Sequence, residues 1–258
     1  SYDLIFVLGD RYEMFAAASS TIPFNIPLAH LHGGETTLGA IDDKFRHSIT
    51  AMSTYHFTSS EEHKKRVIDI IGTDKNVFNV GTLSLEFIND LNITPKHTNN
   101  ILFCYHPETV NLNNEESIND VCDALDSIDA TFTVLLPNND TDHNVVRDII
   151  QKRLVGSKYK ISKALSYNEY YTELANCKCM LGNSSSGIYE AASFGKYAIN
   201  IGDRQKGRNT GGNVVHCNIS KDEIIKSYNK IDSLGEWGGG NIYYKPNTSN
   251  KIIEVINE

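Results

Sequence analysis

The chain has 258 residues, a net charge of −8 and 40% hydrophobic residues, enough apolar material for one large or two modest packed domains. A protein that follows a phosphate backbone is usually basic, so this acidic balance argues against a nucleic-acid partner. No apolar run reaches the roughly 18 residues of a membrane span, and no signal peptide is recognisable. Five cysteines without a repeated metal-binding pair fit a reducing compartment, so we expect a cytoplasmic protein without a membrane partner.

The first 90 residues alternate between strand and helix patterns. Residues 3–8 (DLIFVL) form an almost continuous apolar run, which is typical of a strand buried on both faces of a parallel sheet. Further strands are predicted at 27–31, 55–58 and 77–80. Helical patterns occupy 12–22 and 42–53, and Ser59 or Ser60 is placed to cap a third helix.

A polar stretch at 92–100 (NITPKHTNN) precedes a second series of the same kind. Strands are predicted there at 101–105, 132–136, 179–181 and 198–201, and residues 252–256 belong to a final helix. We therefore predict an α/β protein with two Rossmann-like domains, at 1–90 and 101–258, joined by a linker at 91–100. The last helix could pack back on the first domain. Ligands of such domains lie beyond the carboxyl ends of the strands.

Residues 182–190 (GNSSSGIYE) follow an apolar strand and begin a helix whose apolar positions include Ile188, Ala191 and Phe194. Serine hydroxyls and backbone N–H groups at a helix N-terminus form an anion site that would suit a diphosphate. Glu190, one turn later, could accept hydrogen bonds from a ribose diol. A serine-rich N-cap followed by a surface glutamate explains the same residues equally well.

Other polar residues end strands of the second half. The loop 202–208 (GDRQKGR) has three cations that could reach a phosphate, although a solvated surface loop has the same composition. His106 follows the strand at 101–105 and Asn138 follows the strand at 132–136. A structural role is the usual alternative for such a lone histidine.

Acidic residues gather after the strands of the first half. Asp10 ends the first strand, Glu35 follows the second, and Asp42 begins the next helix. Like charges raise one another's pKa, so such a rim is costly unless it is used, and acid/base work on a sugar carbon needs these groups. Helix capping by Asp42, and structural hydrogen bonding by His32 and His47, are the alternatives.

Taken together, these segments resemble the UDP-N-acetylglucosamine 2-epimerases. The matching pieces are GDR at 9–11, HLHGGE at 30–35, GAIDDKFRHSIT at 39–50, YHFTSSEEH at 55–63, NVGTLSLE at 79–86, the histidine of YHPE at 105–108, PNND at 137–140 and GNSSSGIYEAASFGKYAINIGDRQKGR at 182–208. Their order and spacing extend across nearly the whole chain, and the last segment is long and specific.

The resemblance implies a GT-B arrangement of the two domains, with UDP mainly on the second and the sugar facing the first. The catalytic candidates are Asp10, Asp42, Glu35, His32 and His106. The substrate-binding candidates are Arg11, Arg46, His47, Asn138, Asn183, Ser184, Ser185, Ser186, Gly187, Glu190 and Arg204. No metal or other cofactor is expected, because no cluster of histidine, cysteine and carboxylate ligands stands out. We expect a homodimer that acts on a UDP-sugar.

In the chemistry that the resemblance implies, a base removes the C2 proton of the sugar, UDP leaves and an unsaturated glycal forms. Hydrolysing enzymes then add water, whereas non-hydrolysing ones add UDP back. The IDD-x-x-RH segment and the DRQKGR loop indicate the hydrolysing branch, which feeds the synthesis of sialic-acid-type sugars. The alternatives are a non-hydrolysing epimerase, a GT-B glycosyltransferase with the same UDP site, and a UDP-sugar-binding protein without catalysis.

The chain departs from the family pattern at two places. Many relatives have a catalytic glutamate where this chain has His32, and the nearest glutamate is Glu35. The change suggests a changed sugar, such as a di-N-acetylated 6-deoxy sugar on the legionaminic-acid route. The family also begins with an earlier strand and an arginine-bearing loop that contacts UDP. We therefore expect the first domain to be truncated and residues 1–258 alone to be nearly inactive.

Overall fold

The computed structural model of the chain describes residues 2–38, 42–91, 93–96, 98–108, 113–137 and 143–258. They belong to two compact units. Unit 1 comprises Ser1–Asp90, Gly207–Asn209 and Ile242–Glu258, and unit 2 comprises Leu91–Lys206 and Thr210–Asn241. No helix within the described residues has both the length and the apolar character needed to cross a bilayer.

Strands and helices alternate along the described chain. The first eight elements are β1 (Ile5–Leu8), α1 (Tyr12–Thr21), β2 (Leu28–Leu31), α2 (Asp42–Met52), β3 (Tyr55–Thr58), α3 (Glu61–Ile71), β4 (Val77–Asn79) and α4 (Ser84–Asp90). The remaining ones are β5 (Asn100–Cys104), α5 (Asn114–Ser127), β6 (Thr131–Leu135), α6 (His143–Arg153), β7 (Tyr159–Ser162), α7 (Tyr167–Asn176), β8 (Cys179–Gly182), α8 (Ser186–Tyr189), β9 (Tyr197–Ile201), β10 (Val214–Cys217), α9 (Lys221–Leu234) and α10 (Thr248–Asn257). Short 3₁₀ helices occupy Ile22–Phe24 and Ala191–Phe194.

Unit 1 is built on a parallel sheet in the order β1-β2-β3-β4. One core cluster contains Val7, Ala18, Leu28 and Ile49, so α1 and α2 contribute to that part of the core. Another contains Ala29, Phe57, Val80 and Ile252, the last of which lies on α10. The predicted cap of α3 is confirmed, since the Ser60 hydroxyl accepts a hydrogen bond from the N–H of His63 at 3.2 Å.

The first strand differs from the expectation of burial on both faces. Val7 is buried, but Phe6 and Leu8 are 50% and 59% exposed. Successive side chains of a strand point to opposite faces, and β1 lies at the edge of the sheet, paired with β2. The core cluster around Val7 therefore covers one face, while the other is left partly open.

Unit 2 has a six-stranded parallel sheet in the order β10-β9-β8-β5-β6-β7. Read from β7, this is the strand order 3-2-1-4-5-6 of a Rossmann fold, in which the chain changes direction between β5 and β8. A large core that includes Phe103, Val121, Leu125 and Phe132 supports the sheet. Ligands of such sheets bind at this switch point, beyond the carboxyl ends of β5 and β8.

β7 and β10, the two edge strands of unit 2, were not predicted from the sequence. Their residues are YKIS and VVHC, and neither strand contains a fully buried residue. Short, half-exposed edge strands lack the apolar run on which strand prediction relies, so only their pairing with β6 and β9 reveals them.

Candidate functional site

Arg46 organises the carboxyl edge of the sheet in unit 1. It lies on α2 and is only 1% exposed. Its Nη1 donates hydrogen bonds to the backbone oxygen of Glu35, at 2.9 Å, and to the carboxylate of Asp43, while Nη2 donates to the carboxylate of Asp10. A buried guanidinium requires such partners. Arg46 was predicted to bind substrate, and these contacts favour a role in holding Asp10.

The turn that carries Asp10 is held by His30. The Nε2 of His30 lies 2.8 Å from the backbone oxygen of Gly9, and its Nδ1 lies 3.1 Å from the hydroxyl of Thr50 on α2. A carbonyl only accepts, so Nε2 must donate and Nδ1 must accept from Thr50. Burial lowers the pKa of His30 to about 4. A neutral ring with one tautomer therefore links the Asp10 turn to α2, a role that sequence reasoning missed.

The two acids at the start of α2 differ in their surroundings. Asp43 accepts hydrogen bonds from the backbone N–H of Thr37, at 2.9 and 3.1 Å, as well as from Arg46. The pKa of the half-buried Asp42 is raised, first by burial and then by the charge of Asp10. Asp43 thus contributes to structure, while Asp42 is the acid whose titration is shifted towards neutral pH.

A second cluster of ionisable and polar side chains is centred on Glu35, which is 4% exposed. Its Oε1 lies 2.7 Å from Nδ1 of His32 and accepts a hydrogen bond from the Ser59 hydroxyl at 2.9 Å. Its Oε2 accepts from Nη1 of Arg208 at 3.2 Å. The Ser59 hydroxyl in turn lies 2.9 Å from Nδ1 of His63. Of these residues the sequence had singled out His32 and Glu35, together with the cationic loop that contains Arg208.

Two other predicted residues of unit 1 lie near this edge. His47 is on α2, half-buried, and burial is the main cause that lowers its pKa. Arg11 has a side chain 74% exposed, and its Nε lies 3.2 Å from the carboxylate of Glu13. An exposed pair of this kind stabilises little.

Asn183 links the two loops at the switch point of unit 2. Its side chain is fully buried; Oδ1 accepts from the backbone N–H of His106 at 2.7 Å, and Nδ2 donates to the backbone oxygen of His106 at 2.8 Å. Gly182 permits the close approach of β8 to β5, since a Cβ there would lie 1.9 Å from the oxygen of Cys104. These contacts favour a role for Asn183 in positioning His106, whose Nε2 lies 3.4 Å from Sγ of Cys104.

The serine turn is followed by less helix than expected. The single turn α8 covers Ser186–Tyr189 and a 3₁₀ helix follows, so the regular helix predicted through Phe194 is wrong. The chain tightens because the N–H of Ser193 bonds to the oxygen of Glu190, three residues earlier, at 2.9 Å. One turn has little dipole, so any phosphate here would depend on the N–H and hydroxyl groups themselves. Those groups belong to Ser184, Ser185 and Ser186, whereas the N–H of Gly187, which was also predicted to bind substrate, donates to the backbone oxygen of Ser184 at 3.2 Å.

Glu108 holds the loop after β9, which carries Arg204. Its buried carboxylate accepts hydrogen bonds from the backbone N–H groups of Asp203, at 2.7 Å, and Arg204, at 3.3 Å. Nη1 of Arg204 donates to the backbone oxygen of Asn183 at 3.3 Å, next to the serine turn. Glu108 is the last residue of the YHPE segment at 105–108. Its role depends on a contact with Asp203, 95 residues later in the chain, which no local pattern indicates.

The remaining predicted residues of unit 2 are Glu190 and Asn138. Glu190 is half-buried beside Tyr171, whose pKa is raised by burial and then by the charge of Glu190. Asn138 lies outside the described residues. Within the described residues, no group of three or more histidine, cysteine, aspartate or glutamate side chains is arranged to hold a metal ion.

The model of one protein family, described as UDP-N-acetylglucosamine 2-epimerase, matches residues 1–257. The chain belongs to this family. It is 37% identical over 246 residues to a protein of Campylobacter jejuni subsp. jejuni serotype O:2 named GDP/UDP-N,N'-diacetylbacillosamine 2-epimerase (hydrolyzing), a match that covers 90% of this chain and 64% of the relative. It is 33% identical to the UDP-N,N'-diacetylbacillosamine 2-epimerase (hydrolyzing) of Legionella pneumophila, covering 98% of this chain and 70% of that protein.

Another relative of this chain is the polysialic acid biosynthesis protein P7 of Escherichia coli, 36% identical with 100% of this chain and 70% of that protein covered. The fold is shared with solved structures. The UDP-GlcNAc-bound 2-epimerase of Neisseria meningitidis matches with a TM-score of 0.83 and 19% identity, over 99% of this chain and 76% of that one. The UDP co-structure of MnaA from S. aureus matches with a TM-score of 0.82 and 15% identity, over 99% and 74%.

Proposed function

We propose that the protein is a hydrolysing UDP-sugar 2-epimerase, which converts a UDP-linked acetamido sugar and water into UDP and the free 2-epimer. The observation that carries this proposal is the set of acids in unit 1, where Arg46 holds Asp10 and the pKa of Asp42 is raised. Carboxylates placed in this way can act as acids and bases towards a sugar carbon. The names of the Campylobacter and Legionella relatives support the hydrolysing reaction.

In this proposal, unit 2 binds the UDP group. The N–H and hydroxyl groups of Ser184, Ser185 and Ser186 face the diphosphate, Arg204 adds a positive charge, and Glu190 receives the ribose hydroxyls. Groups held in advance by the fold, as Glu108 holds the Arg204 loop, stabilise developing charge on a leaving diphosphate without reorganisation. His106 and Asn138 are the other proposed UDP contacts, with Arg11 from unit 1.

Unit 1 performs the chemistry. Asp10, paired with Arg46, removes the proton from C2 of the sugar while the C1–O bond to UDP breaks, which leaves a glycal with a C1–C2 double bond. Water then adds across this bond, with a proton on C2 and a hydroxyl on C1. Asp42 lies close enough to Asp10 for their charges to interact, and we assign it to proton exchange during this second half.

We further propose the substrate class, the setting and the assembly. Two relatives are named for a diacetylated sugar and one for polysialic acid biosynthesis, which supports a diacetylated 6-deoxy sugar on a route to sialic-acid-type or legionaminic acid. Five cysteines without disulfides fit a reducing cytoplasm. A homodimer is our expectation, and light scattering of the purified protein would test it.

The test is NMR of UDP-GlcNAc, and of its diacetylated 6-deoxy analogue, incubated with the full-length protein and no acceptor. We expect free UDP and a free 2-epimer from one of the two. A UDP-linked epimer without free UDP would instead indicate the non-hydrolysing reaction. UDP release that requires an added acceptor would indicate a glycosyltransferase, and unchanged substrate after hours would indicate a binding protein.

A further inference from the structure

Epimerisation at C2 requires two proton-transferring groups. The proton leaves from one face of the sugar ring and another must arrive at the opposite face, so a single side chain in a fixed position cannot perform both steps. The proposed function gives the first step to Asp10. In the second step Asp42 exchanges a proton with the attacking water, which leaves the new proton at C2 without an assigned donor. His32 is an ionisable residue at the end of the neighbouring strand.

The backbone of His32 adopts a conformation that few residues other than glycine adopt. Its φ is +64°, in the left-handed region that glycine prefers. Residues other than glycine that are held in this conformation concentrate at functional sites. In this conformation Nδ1 of His32 lies 2.7 Å from the carboxylate of Glu35.

The environment of Glu35 makes this pair rigid. Glu35 is 4% exposed, and the bonds from Ser59 and Arg208 engage one oxygen each. A carboxylate accepts hydrogen bonds, so Nδ1 of His32 carries a proton and donates it to Glu35. Any proton exchange with another molecule then takes place at Nε2. Histidine rings oriented by a buried carboxylate act as acids and bases in enzymes, because the carboxylate fixes the tautomer and compensates the charge of the imidazolium.

We propose that His32 donates the new C2 proton in the hydration step and that Glu35 is its positioning residue, an inference that rests on the proposed function. The electron pair of the C1–C2 double bond takes the proton from Nε2 of His32. The oxygen of water binds C1, and the proton that this water loses passes to the carboxylate of Asp42. His32 becomes neutral in this step and regains its proton from solvent, as Asp42 returns its own.

The sharpest variant is His32→Gly, because glycine suits a φ of +64° and removes the ring without backbone strain. We expect UDP release to continue within about tenfold of the original rate, while formation of the 2-epimer falls at least about a hundredfold. The unsaturated glycal should accumulate instead, visible by NMR. Added imidazole should restore epimer formation by at least about tenfold, since it can carry the missing proton.

Glu35→Gln tests the positioning residue, with Glu62→Gln as its matched control. Glu62 also pairs with an arginine, at 3.1 Å from Arg66, but it is exposed. We expect Glu35→Gln to lower epimer formation about tenfold without weakening UDP binding, and Glu62→Gln to change neither. Thermal unfolding and UDP calorimetry on each variant separate loss of folding from loss of chemistry.

Three results would overturn the inference in a protein that is otherwise active: epimer formation by His32→Gly at the original rate, simultaneous loss of UDP release and epimer formation in that variant, or the absence of imidazole rescue. Failure of the proposed function would look different, because the unaltered protein itself would then produce no free epimer from either substrate.

Discussion

The carboxyl edges of the two sheets are built alike but carry different chemistry. In unit 1, loops after parallel strands bring together buried, paired charges, with Arg46 and Glu35 at their centres. In unit 2, the corresponding loops are joined by the neutral amide of Asn183 and present serine hydroxyls and backbone N–H groups. We propose that the same architecture serves proton transfer in one unit and anion binding in the other, because fold and function are specified by different residues.

The comparison also separates two ways of holding a site. In unit 2, the hydrogen bonds of the Asn183 side-chain amide satisfy backbone groups of His106 that would otherwise be buried without partners. These hydrogen bonds do not depend on pH, because an amide does not titrate. The charged contacts in unit 1 are sensitive to the loss of any member, since an unpaired buried charge is strongly unfavourable. Substitutions and pH should therefore affect the two edges differently.

The largest effect is expected at Asp10. Replacement by asparagine keeps the shape of the side chain but removes its ability to take a proton. We expect turnover of the UDP-sugar to fall at least about a hundredfold, the usual size of an acid/base contribution, with UDP affinity nearly unchanged. Coupled measurement of UDP release and calorimetry with UDP would show both. Near-normal turnover would remove Asp10 from the mechanism.

Acid should destabilise unit 1 before unit 2. Burial lowers the pKa values of His30, His56 and His63, all in unit 1, from 6.5 to about 4. These rings are neutral in the folded protein but gain a proton on unfolding below pH 6.5. The contribution of these neutral rings to the free energy of unfolding is therefore complete above pH 6.5. It is lost as the pH falls towards 4, by up to about 1.4 kcal/mol per pH unit for each histidine.

Amide hydrogen exchange at pH 7 and pH 5 can check this order. We expect the amides of β1–β4 to lose protection first. The single tryptophan, Trp237, lies in unit 2. Its fluorescence should therefore change at a lower pH than the pH at which the amides of unit 1 lose protection from exchange. Simultaneous loss in both units would contradict the difference between the two edges.

A smaller effect is expected in the serine turn of unit 2. Ser185→Ala and Glu190→Ala remove groups that should contact UDP equally in the ground state and the transition state. We expect each to weaken UDP affinity about tenfold, with turnover at saturating substrate nearly unchanged. Isothermal titration with UDP is the direct measurement. Unaltered affinity in both variants would refute the phosphate and ribose assignments.

The smallest effect is expected from chelation. Arginine, serine and backbone groups can stabilise a departing diphosphate without a metal ion, so EDTA should leave the rate of UDP release unchanged. Loss of activity with EDTA, restored by adding Mg²⁺, would show that a divalent ion is part of the UDP site.

Much of the organisation was predictable from local patterns. The alternation of apolar runs and helical spacing predicted β2, β3, β5 and β8 to within a few residues, because their side chains are buried and leave a continuous signal. The edge strands β7 and β10 were missed, and the extent of helix after the serine turn was wrong. In each case the outcome depends on a neighbour in the folded chain rather than on the segment itself.

The candidate site divides in the same way. The polar residues that follow strands could be listed from the sequence, because parallel strands place their carboxyl ends on one edge. Their partners could not. No local sequence pattern indicates that Asp43 pairs with Arg46 while the pKa of Asp42 is raised. The same holds for the hydrogen bonds by which Glu108 holds the loop that carries Arg204.

The sequence by itself determined the family, the two Rossmann-like halves and the residue types at the strand ends, since these depend on order, spacing and composition. The tertiary structure alone decided which of those side chains hold other groups in place, such as Arg46 and Asn183, and which lie within hydrogen-bonding distance of each other, such as His32 and Glu35. The physical reason is distance: hydrogen bonds and charge interactions act over a few ångströms in space, and the chain positions that meet there are as far apart as Glu35 and Arg208.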